Sequence, residues 1–402
     1  MLGKAKNLLN DAAGRLGIEI RRIRPGADFH ERVVSLEPKI PRRGRALLSY
    51  RIEPFLRGPD EAISNDHTNY WETHEMADAL RELGLAVDVI SYRNQTFVPE
   101  SPYAVFIGAR TNFERISKQL HKDCFKLAHL DTAHWVTNNT AAYQRLTDLK
   151  QRRGISLDNR KMVEPNWALE HADAGSVLGN EFTLASYRYA GKPLHRIPIS
   201  APTVYDWPER KDFDAVRNRF IWFGSDGFVH KGLDLVLEAF RDLPQHHLTV
   251  CGPLQQEQRF VDAYHRELFE TPNIHTLGWV DVAGPAFADL IDSHLGLVYP
   301  TCSEGGGGSA ITCMHAGMIP LLSREASVDI GENGFLLDSC SLDDIKKLVR
   351  HVSELPAQAL ESLSRGAWEL ARATHTRPIF ADRLRQFLHR DVMPRVKLDA
   401  AS

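Results

Sequence analysis

The sequence predicts an α/β protein made of two doubly wound, mostly parallel sheets that face one another across a cleft. Short apolar runs rich in β-branched residues alternate with amphipathic helical stretches along most of the chain. This alternation restarts once, after a segment rich in proline and charge. A length of 402 residues also favours two domains over one core.

The first series of apolar runs contains five predicted buried strands. They are RALLSY (45–50), AVDVIS (86–91), YAVFIG (103–108), FKLAHL (125–130) and GSVLG (175–179). A helix is predicted over residues 72–84, where Met76, Leu80 and Leu83 share one face and Gly84 ends it. Strands separated by helices are expected to pair in parallel, because each crossover returns the chain to the same end of the sheet.

The second series follows HRIPISAPTVYDWPERKDFDAVRN (195–218), which we interpret as a linker between the two domains. Its predicted strands are RFIWFG (219–224), HLTVCG (247–252), NIHTLG (273–278), LGLVYP (295–300) and IPLLS (319–323). A helix is predicted over 232–243, and a last helix over 381–392 has no strand after it.

These patterns divide the chain into four parts. Residues 1–30 form an N-terminal amphipathic segment, 31–204 the first doubly wound domain and 205–375 the second. Residues 376–402 form a C-terminal helix that we expect to cross back to the first domain.

The N-terminal segment leaves two interpretations open. Apolar residues between Leu2 and Leu16 share a helical stripe, and Arg21, Arg22 and Arg24 follow it. Residues 1–24 can therefore lie on an anionic membrane surface, or they can pack on the protein itself or fray. No apolar run approaches the roughly 18 residues that cross a bilayer, and charged residues interrupt any secretory signal. We expect a cytoplasmic protein, peripheral at the inner face of the membrane if residues 1–24 bind it.

Charge and cysteine content exclude further classes. The net charge of −3 gives no global basic field, so no nucleic-acid partner is expected. The five cysteines, at positions 124, 251, 302, 313 and 340, are scattered without the spacing of a zinc site or a disulfide framework. Reduced thiols are therefore expected.

A run of four glycines, Gly305 to Gly308, separates the predicted strand 295–300 from a short helical stretch. Glycine loses more conformational entropy on folding than any other residue. Four in a row are therefore expected only where the backbone must bend sharply or approach a ligand closely. Ligands of open α/β sheets sit beyond the carboxyl ends of the strands, and bare N–H groups at a helix start bind anions. We therefore predict that this loop holds a diphosphate, with Ser309 capping the helix and Glu304 accepting sugar hydroxyls. The alternative is a flexible surface loop.

A second strand-to-helix segment, residues 223–240, carries Lys231 directly before a predicted helix. A cation at a helix start opposes the helix dipole, and an anionic ligand sharing the site would remove that conflict. The alternative is a solvated surface lysine.

Together, the two segments resemble the donor-binding half of the GT-B glycosyltransferases, especially the retaining family-four enzymes (glycosyl transferases group 1). PTCSEGGGGSAITCMHAGMIP (300–320) is similar to the family pattern P-S-x-x-E-G-x-G followed by A-x-x-x-G-x-P-V, and residues 231–232 match its K-G pair. IPIS (197–200) falls where the family has an interdomain I-P-N-G turn. The resemblance implies a GT-B fold of two Rossmann-like domains, with a nucleotide-sugar donor in 205–375 and the acceptor in 31–204.

In that family, a lysine and backbone amides hold the diphosphate, and the first glutamate binds the transferred sugar. Carried over, these roles fall on Lys231 and Glu304, with Gly305, Gly306, Gly307 and Gly308 supplying amides. The remaining predicted donor-binding residues are Gly224, Ser225, Ser309 and Thr312. Two of these depart from the family pattern: Ser225 stands where arginine is usual, and Thr312 where a second glutamate usually binds the ribose. Neutralisation of the diphosphate is therefore expected to depend more on Lys231 and the helix ends, and the ribose to be recognised differently.

The loop between the first strand and the first helix is polar and aromatic. Similar enzymes use it for donor phosphates or acceptor, so Asn65, His67, Asn69 and Tyr70 are candidate acceptor contacts. The same residue types also serve as caps and turns, and that alternative stays open.

A histidine near the reacting centre is often found in the family after the strand that corresponds to 125–130. His134 is the preferred catalytic candidate, with His129 behind it. A core histidine that is simply hydrogen-bonded is an equal alternative. Asp131 lies between them without independent support.

The resemblance implies a metal-independent, retaining glycosyltransferase that acts on a glycan or glycolipid acceptor in cell-envelope polysaccharide synthesis. No cofactor is expected, and no Asp-x-Asp motif is placed to hold a metal. Two alternatives stay open: a nucleotide-sugar epimerase on the same fold, and a non-catalytic sugar-nucleotide-binding scaffold that partners another transferase.

Overall fold

Two α/β domains make up the computed structural model, which describes residues 18–20, 28–58, 61–65 and 67–398. The amphipathic helix predicted over residues 1–24 lies outside the described residues, except that Ile18–Ile20 form a strand. No helix within the described part is long and apolar enough to cross a membrane.

An eight-stranded sheet in the order β1-β2-β4-β3-β5-β6-β7-β8 forms the first domain. The strands are β1 (Ile18–Ile20), β2 (Val33–Leu36), β3 (Gly44–Tyr50), β4 (Leu85–Ser91), β5 (Val105–Gly108), β6 (Phe125–Leu130), β7 (Ala174–Val177) and β8 (Leu194–Arg196). All pairs from β4-β3 to β7-β8 are parallel, whereas β1 and β2 add antiparallel at the β4 edge. The five predicted strands are confirmed; the additional β1, β2 and β8 span only three or four residues, too few to show a period.

The helices of the first domain are α1 (Thr68–Glu82), α2 (Phe113–Ser117), α3 (Trp135–Arg153) and α4 (Glu181–Tyr187). Helix α1 begins four residues earlier than the predicted start at 72, because Nδ1 of His67 accepts the N–H of Asn69 and caps it (3.3 Å). Gly84 follows the helix in the left-handed region (φ 83°), as its predicted role as terminator requires.

A six-stranded parallel sheet in the order β11-β10-β9-β12-β13-β14 forms the second domain. Its strands are β9 (Arg219–Phe223), β10 (His247–Cys251), β11 (Ile274–Gly278), β12 (Gly296–Tyr299), β13 (Ile319–Leu322) and β14 (Phe335–Leu336). All five predicted strands are confirmed, and only the two-residue β14 is additional.

The helices of the second domain are α5 (Phe213–Val216), α6 (Leu233–Arg241), α7 (Gln258–Ala263), α8 (His265–Phe269), α9 (Pro285–Ser293), α10 (Gly308–His315), α11 (Leu342–Glu354) and α12 (Ala357–Thr374). Short helical turns occur at Phe29–Glu31, Glu53–Phe55, Arg110–Asn112, Arg188–Ala190, Leu254–Gln256, Arg324–Ala326 and Met393–Arg395. The predicted linker 195–218 is partly structured, since it contains the end of β8 and the whole of α5.

The last helix, α13 (Arg377–Phe387), packs on the first domain and continues into a π-turn at Leu388–Val392. Arg385 forms ion pairs with Glu75 (2.5 Å) and Glu82 (2.8 Å) of α1. The ring of Phe380 meets Trp71 edge-on at 6.1 Å between centroids. The chain therefore returns to the first domain after completing the second.

Helix α3 joins the domains on the other side. Its Arg152 pairs with Asp234 (2.6 Å) and Glu238 (2.9 Å) of α6, and Arg145 donates to the carbonyl oxygen of Pro300 (3.0 Å). These contacts hold α3 of the first domain against α6 and the residue after β12 in the second domain.

Candidate functional site

Lys231 and Glu304 form a buried ion pair at the carboxyl edge of the second sheet. Lys231 lies two residues before α6, and Glu304 lies in the loop after β12. The Nζ–Oε1 distance is 2.6 Å, and the side chains are only 7% and 19% exposed. The hydroxyl of Tyr299 lies 3.0 Å from Nζ and donates to the same carboxylate oxygen at 2.8 Å. The alternative of a solvated surface lysine is therefore excluded.

Each member of this pair keeps the other ionised. Burial opposes the charge of Glu304, but the nearby charge of Lys231 outweighs it and lowers the pKa of the carboxyl to about 2. Burial also opposes the charge of Lys231, but Glu304 raises the pKa of the ammonium above its ordinary value. Without a ligand, the two groups neutralise one another.

The four glycines after Glu304 differ in what surrounds them. A Cβ on Gly305 would overlap the carbonyl oxygen of Asp131 in the first domain. Gly306 has a φ of 130°, which side-chain-bearing residues rarely adopt. The N–H of Gly307, which we predicted to bind phosphate, already donates to the backbone carbonyl of Ala326 (2.9 Å) and is therefore not free for a ligand. A Cβ on Gly308 would meet no atom within 4 Å, and open space therefore adjoins the loop there.

Helix α10 begins at Gly308 without a side-chain cap. Gly307 occupies the cap position and Ser309 lies within the first turn, so the prediction that Ser309 caps this helix is wrong. The first N–H groups of a helix have no partners within it, and here no side chain caps them. An uncapped helix start beside open space is suited to an anion. Thr312, by contrast, is buried and donates its hydroxyl to the carbonyl of Gly308 (2.9 Å).

Gly224 and Ser225 lie where β9 approaches Lys231. A Cβ on Gly224 would come within 2.9 Å of the Trp222 ring and 3.2 Å of Lys231 Cδ, so a larger residue there would crowd the ring and the lysine stem. Ser225, where the resembling family usually has arginine, is exposed.

Lys161 of the first domain also borders this site, although the sequence did not predict it. Its Nζ lies 2.6 Å from Oδ1 of Asp226, the residue after Ser225. Burial and the charge of Lys231 lower the pKa of Lys161. A second cation therefore approaches the site from the first domain. The sequence gives no motif for Lys161, because it lies in a loop that follows a helix and not a strand.

Asp131 is the centre of a buried network on the first-domain side. Arg110 donates to both of its carboxylate oxygens (2.9 Å each), and the Tyr50 hydroxyl donates at 2.9 Å. The amide of Asn69 in turn donates to Tyr50 at 2.7 Å. Burial opposes the charge of Asp131, but Arg110 outweighs it and lowers the pKa to about 2. Asp131 follows β6 directly, and that position at a strand end was the available sequence signal.

The backbone of Arg110 adopts a left-handed conformation with a φ of 60°. For a non-glycine residue this costs about 1–2 kcal/mol. Such strain persists where the surroundings over-determine it, here through the two-pronged contact with Asp131.

The four candidate acceptor contacts have different environments. Asn69 is buried in the Asp131 network, and the Tyr70 ring lies 6.0 Å from the guanidinium of Arg51. His67 caps α1, in agreement with the cap alternative. Asn65 is exposed and accepts a hydrogen bond from Arg377 (3.1 Å).

The two histidines predicted near the reacting centre are both hydrogen-bonded. Nδ1 of His134 caps α3, and Nε2 lies 3.1 Å from the Tyr189 hydroxyl. His129 is buried, with Nδ1 3.0 Å from the Ser176 hydroxyl and no partner for Nε2. Burial lowers the pKa of His129 to about 4, so the ring is neutral at pH 7. The catalytic role of His134 stays a prediction.

The described residues contain no evident metal site. No group of three or more His, Cys, Asp or Glu side chains within them is arranged to hold a metal ion.

No protein-family model and no curated protein matches this chain. Solved structures are nevertheless similar to it over most of its length. A sucrose-phosphate synthase from Thermosynechococcus elongatus is 14% identical with a TM-score of 0.61, covering 87% of this chain and 98% of that one. HepE from Anabaena, solved with UDP and glucose, is 13% identical with a TM-score of 0.53, covering 86% and 100%. TarM of S. aureus, solved with UDP and α-GlcNAc-glycerol, is 12% identical with a TM-score of 0.51, covering 69% and 54%.

These similarities, at low identity, establish the architecture. The chain has a GT-B fold, with two Rossmann-like domains, and the fold predicted from the sequence is confirmed.

Proposed function

We propose that this protein is a glycosyltransferase that moves a sugar from a nucleotide-sugar donor to a glycan or glycolipid acceptor. The observation that carries the proposal is the buried Lys231–Glu304 pair beside the uncapped start of α10. It combines a cation, free amides and a hydroxyl acceptor at the carboxyl edge of a parallel sheet. HepE of the same fold has been solved with UDP-glucose, which supports a nucleotide-sugar as the donor.

Donor binding would rearrange the ion pair. The diphosphate would take Lys231 as its counter-charge, and Glu304 would then be released to accept a hydroxyl of the sugar. In the transfer step, the bond between the anomeric carbon and the diphosphate oxygen breaks, and a bond to the acceptor oxygen forms. The acceptor hydroxyl loses its proton, which the departing diphosphate can take up. Lys231, Lys161 and the amides of α10 would stabilise the charge that develops on that leaving group.

Two finer features of the proposal rest on the resemblance to family-four enzymes. These are retention of the anomeric configuration and activity without a divalent metal. A role in cell-envelope polysaccharide synthesis belongs to the same proposal. Transfer measured with and without EDTA tests metal independence, and full loss with EDTA would contradict it; NMR of the product anomer tests retention.

Thermal-shift measurements against a panel of nucleotides and nucleotide sugars test the donor site. We expect at least one member to stabilise the wild-type protein, because a ligand of the folded state raises its stability by mass action. The shift should vanish in Lys231→Ala and persist in Lys347→Ala, which removes an exposed lysine from α11. No stabilisation of the wild type by any nucleotide would overturn the proposal.

Incubation with the stabilising donor and no acceptor separates the alternatives. A transferase would leave the donor intact or hydrolyse it slowly, whereas an epimerase would convert its sugar. A scaffold would bind the donor yet transfer nothing across a panel of acceptors.

A further inference from the structure

Three arginine side chains surround the ring of Tyr92 in the first domain. The guanidinium carbons of Arg51, Arg93 and Arg110 lie 5.2, 5.3 and 5.6 Å from the ring centroid. The tyrosine is only 6% exposed. An aromatic face attracts each cation, but three cations around one ring also repel one another.

Sheet topology explains why these residues meet. Arg51 directly follows β3, Tyr92 and Arg93 follow β4, and Arg110 lies two residues after β5. These strands are adjacent and parallel, in the order β4-β3-β5. Their carboxyl ends therefore lie at one edge, which is where open α/β sheets bind ligands.

Carboxylates balance this cluster only in part. Arg110 pairs with Asp131 through Nε and Nη2, which leaves its other terminal nitrogen for a ligand. Glu53 lies 3.6 Å from Arg51, beyond hydrogen-bonding distance. Nε of Arg51 is buried with no hydrogen-bond partner. Arg93 is exposed and forms no ion pair with another residue of the described ranges.

We propose that Arg51, Arg93 and Arg110 form a binding site for a phosphate group carried by the acceptor. A phosphate presents several strong acceptor oxygens in a tetrahedral arrangement, so guanidinium groups from three directions can engage it together. It would also supply the missing counter-charge and a partner for Nε of Arg51. The inference rests on the proposed function, since it names the chemical class of the acceptor of that reaction.

The cluster is continuous with the proposed transfer site. Arg110 holds Asp131, and the carbonyl of Asp131 faces Gly305 in the loop between β12 and α10. A phosphate bound at the arginines would therefore anchor the acceptor beside the interdomain contact. The phosphate can belong to a soluble sugar phosphate or to a lipid headgroup.

Calorimetric titration of the full-length protein tests the site with two probes. Glucose 6-phosphate represents a soluble sugar phosphate, and phosphatidylcholine vesicles containing phosphatidic acid represent a lipid phosphate. We expect saturable binding of one probe, weakened about tenfold or more in Arg93→Gln and Arg51→Gln, because each variant loses charge-assisted hydrogen bonds. Arg383→Gln, which removes an exposed arginine of α13, should bind as the wild type does. Arg93 is exposed, so its variant is expected to fold even if the Arg51 variant does not.

Two further measurements separate this site from the donor site. Phosphate binding should survive in Lys231→Ala, and binding of the stabilising nucleotide should survive in both arginine variants. Arginine-dependent phosphate binding without any nucleotide binding would sustain this site and reject the proposed function. Absence of saturable binding of both probes, or wild-type affinity in Arg93→Gln, would overturn the phosphate site.

Discussion

Gly305, in the loop between β12 and α10, packs directly against the backbone of Asp131, the residue that organises the first-domain side of the cleft. The approach is so close that a Cβ on Gly305 would overlap both the Asp131 carbonyl oxygen and Cα of Thr132. Glu304 directly precedes Gly305 in the chain, so this contact with the first domain also helps to fix the position of Glu304. This contact couples the geometry of the loop between β12 and α10 to the packing of the two domains.

Gly305→Ala should weaken transfer strongly. The new methyl group can be accommodated only if the domains separate by about 1 Å, and a displacement of that size can cost up to about 100-fold in rate. We also expect a loss of about 1–3 kcal/mol in the free energy of unfolding. Gly58→Ala is the matched control, since its nearest contact would be an ordinary 3.6 Å. Transfer at the wild-type rate in Gly305→Ala would show that the domain contact is irrelevant to catalysis.

Removing either member of the Lys231–Glu304 pair should abolish most transfer. It should also lower stability by about 3–5 kcal/mol, because the remaining charge is left buried and unpaired. The double variant Lys231→Met/Glu304→Gln should regain much of that stability without regaining transfer. Urea unfolding and an activity assay on all three variants give both readouts. Wild-type transfer in either single variant would reject this site.

Lys161→Met should weaken binding of the stabilising nucleotide about tenfold, because it removes a cation and leaves Asp226 without its partner. Adding Asp226→Asn should recover part of that affinity, since the unpaired carboxylate would otherwise repel the diphosphate. Titration calorimetry on the single and double variants measures both effects. Equal affinity in Lys161→Met and the wild type would place the diphosphate away from this lysine.

Both sheets could be predicted from the sequence because their central strands are continuous apolar runs bounded by helices. The edge strands β1, β2 and β8 could not be predicted, since each is only three or four residues long and contains a polar residue. The sequence places the start of α1 too late because His67 caps it, and histidine is not among the usual cap residues.

Lys231 and Glu304 could be predicted because each lies in a local motif of glycines between a strand and a helix. The Asp131–Arg110 pair has no such motif. Its members are 21 positions apart and meet only because β5 and β6 are neighbours in the sheet. Contacts of this kind depend on strand order, which the alternation of strands and helices does not specify.

Glu72 provides a pH-dependent test of the interdomain turn. Its buried carboxylate accepts hydrogen bonds from the N–H (2.7 Å) and the hydroxyl (2.8 Å) of Ser200, within the IPIS turn. Burial outweighs these hydrogen bonds and raises the pKa of Glu72 from 4.5 to about 7. A raised pKa in the folded state means that the protonated carboxyl is favoured by folding. Its contribution to stability is therefore complete below about pH 4.5 and is lost as the pH rises through about 7.

The wild-type protein should accordingly lose stability, relative to Glu72→Gln, as the pH is raised from about 5 to 8. The glutamine amide of this variant mimics the protonated carboxyl and does not titrate, so the variant's free energy of unfolding should lack this component. Urea unfolding at several pH values measures the difference, and Glu164→Gln, at an exposed glutamate, should track the wild type. A constant difference between wild type and Glu72→Gln across this range would show that Glu72 ionises in the folded protein as readily as in the unfolded chain.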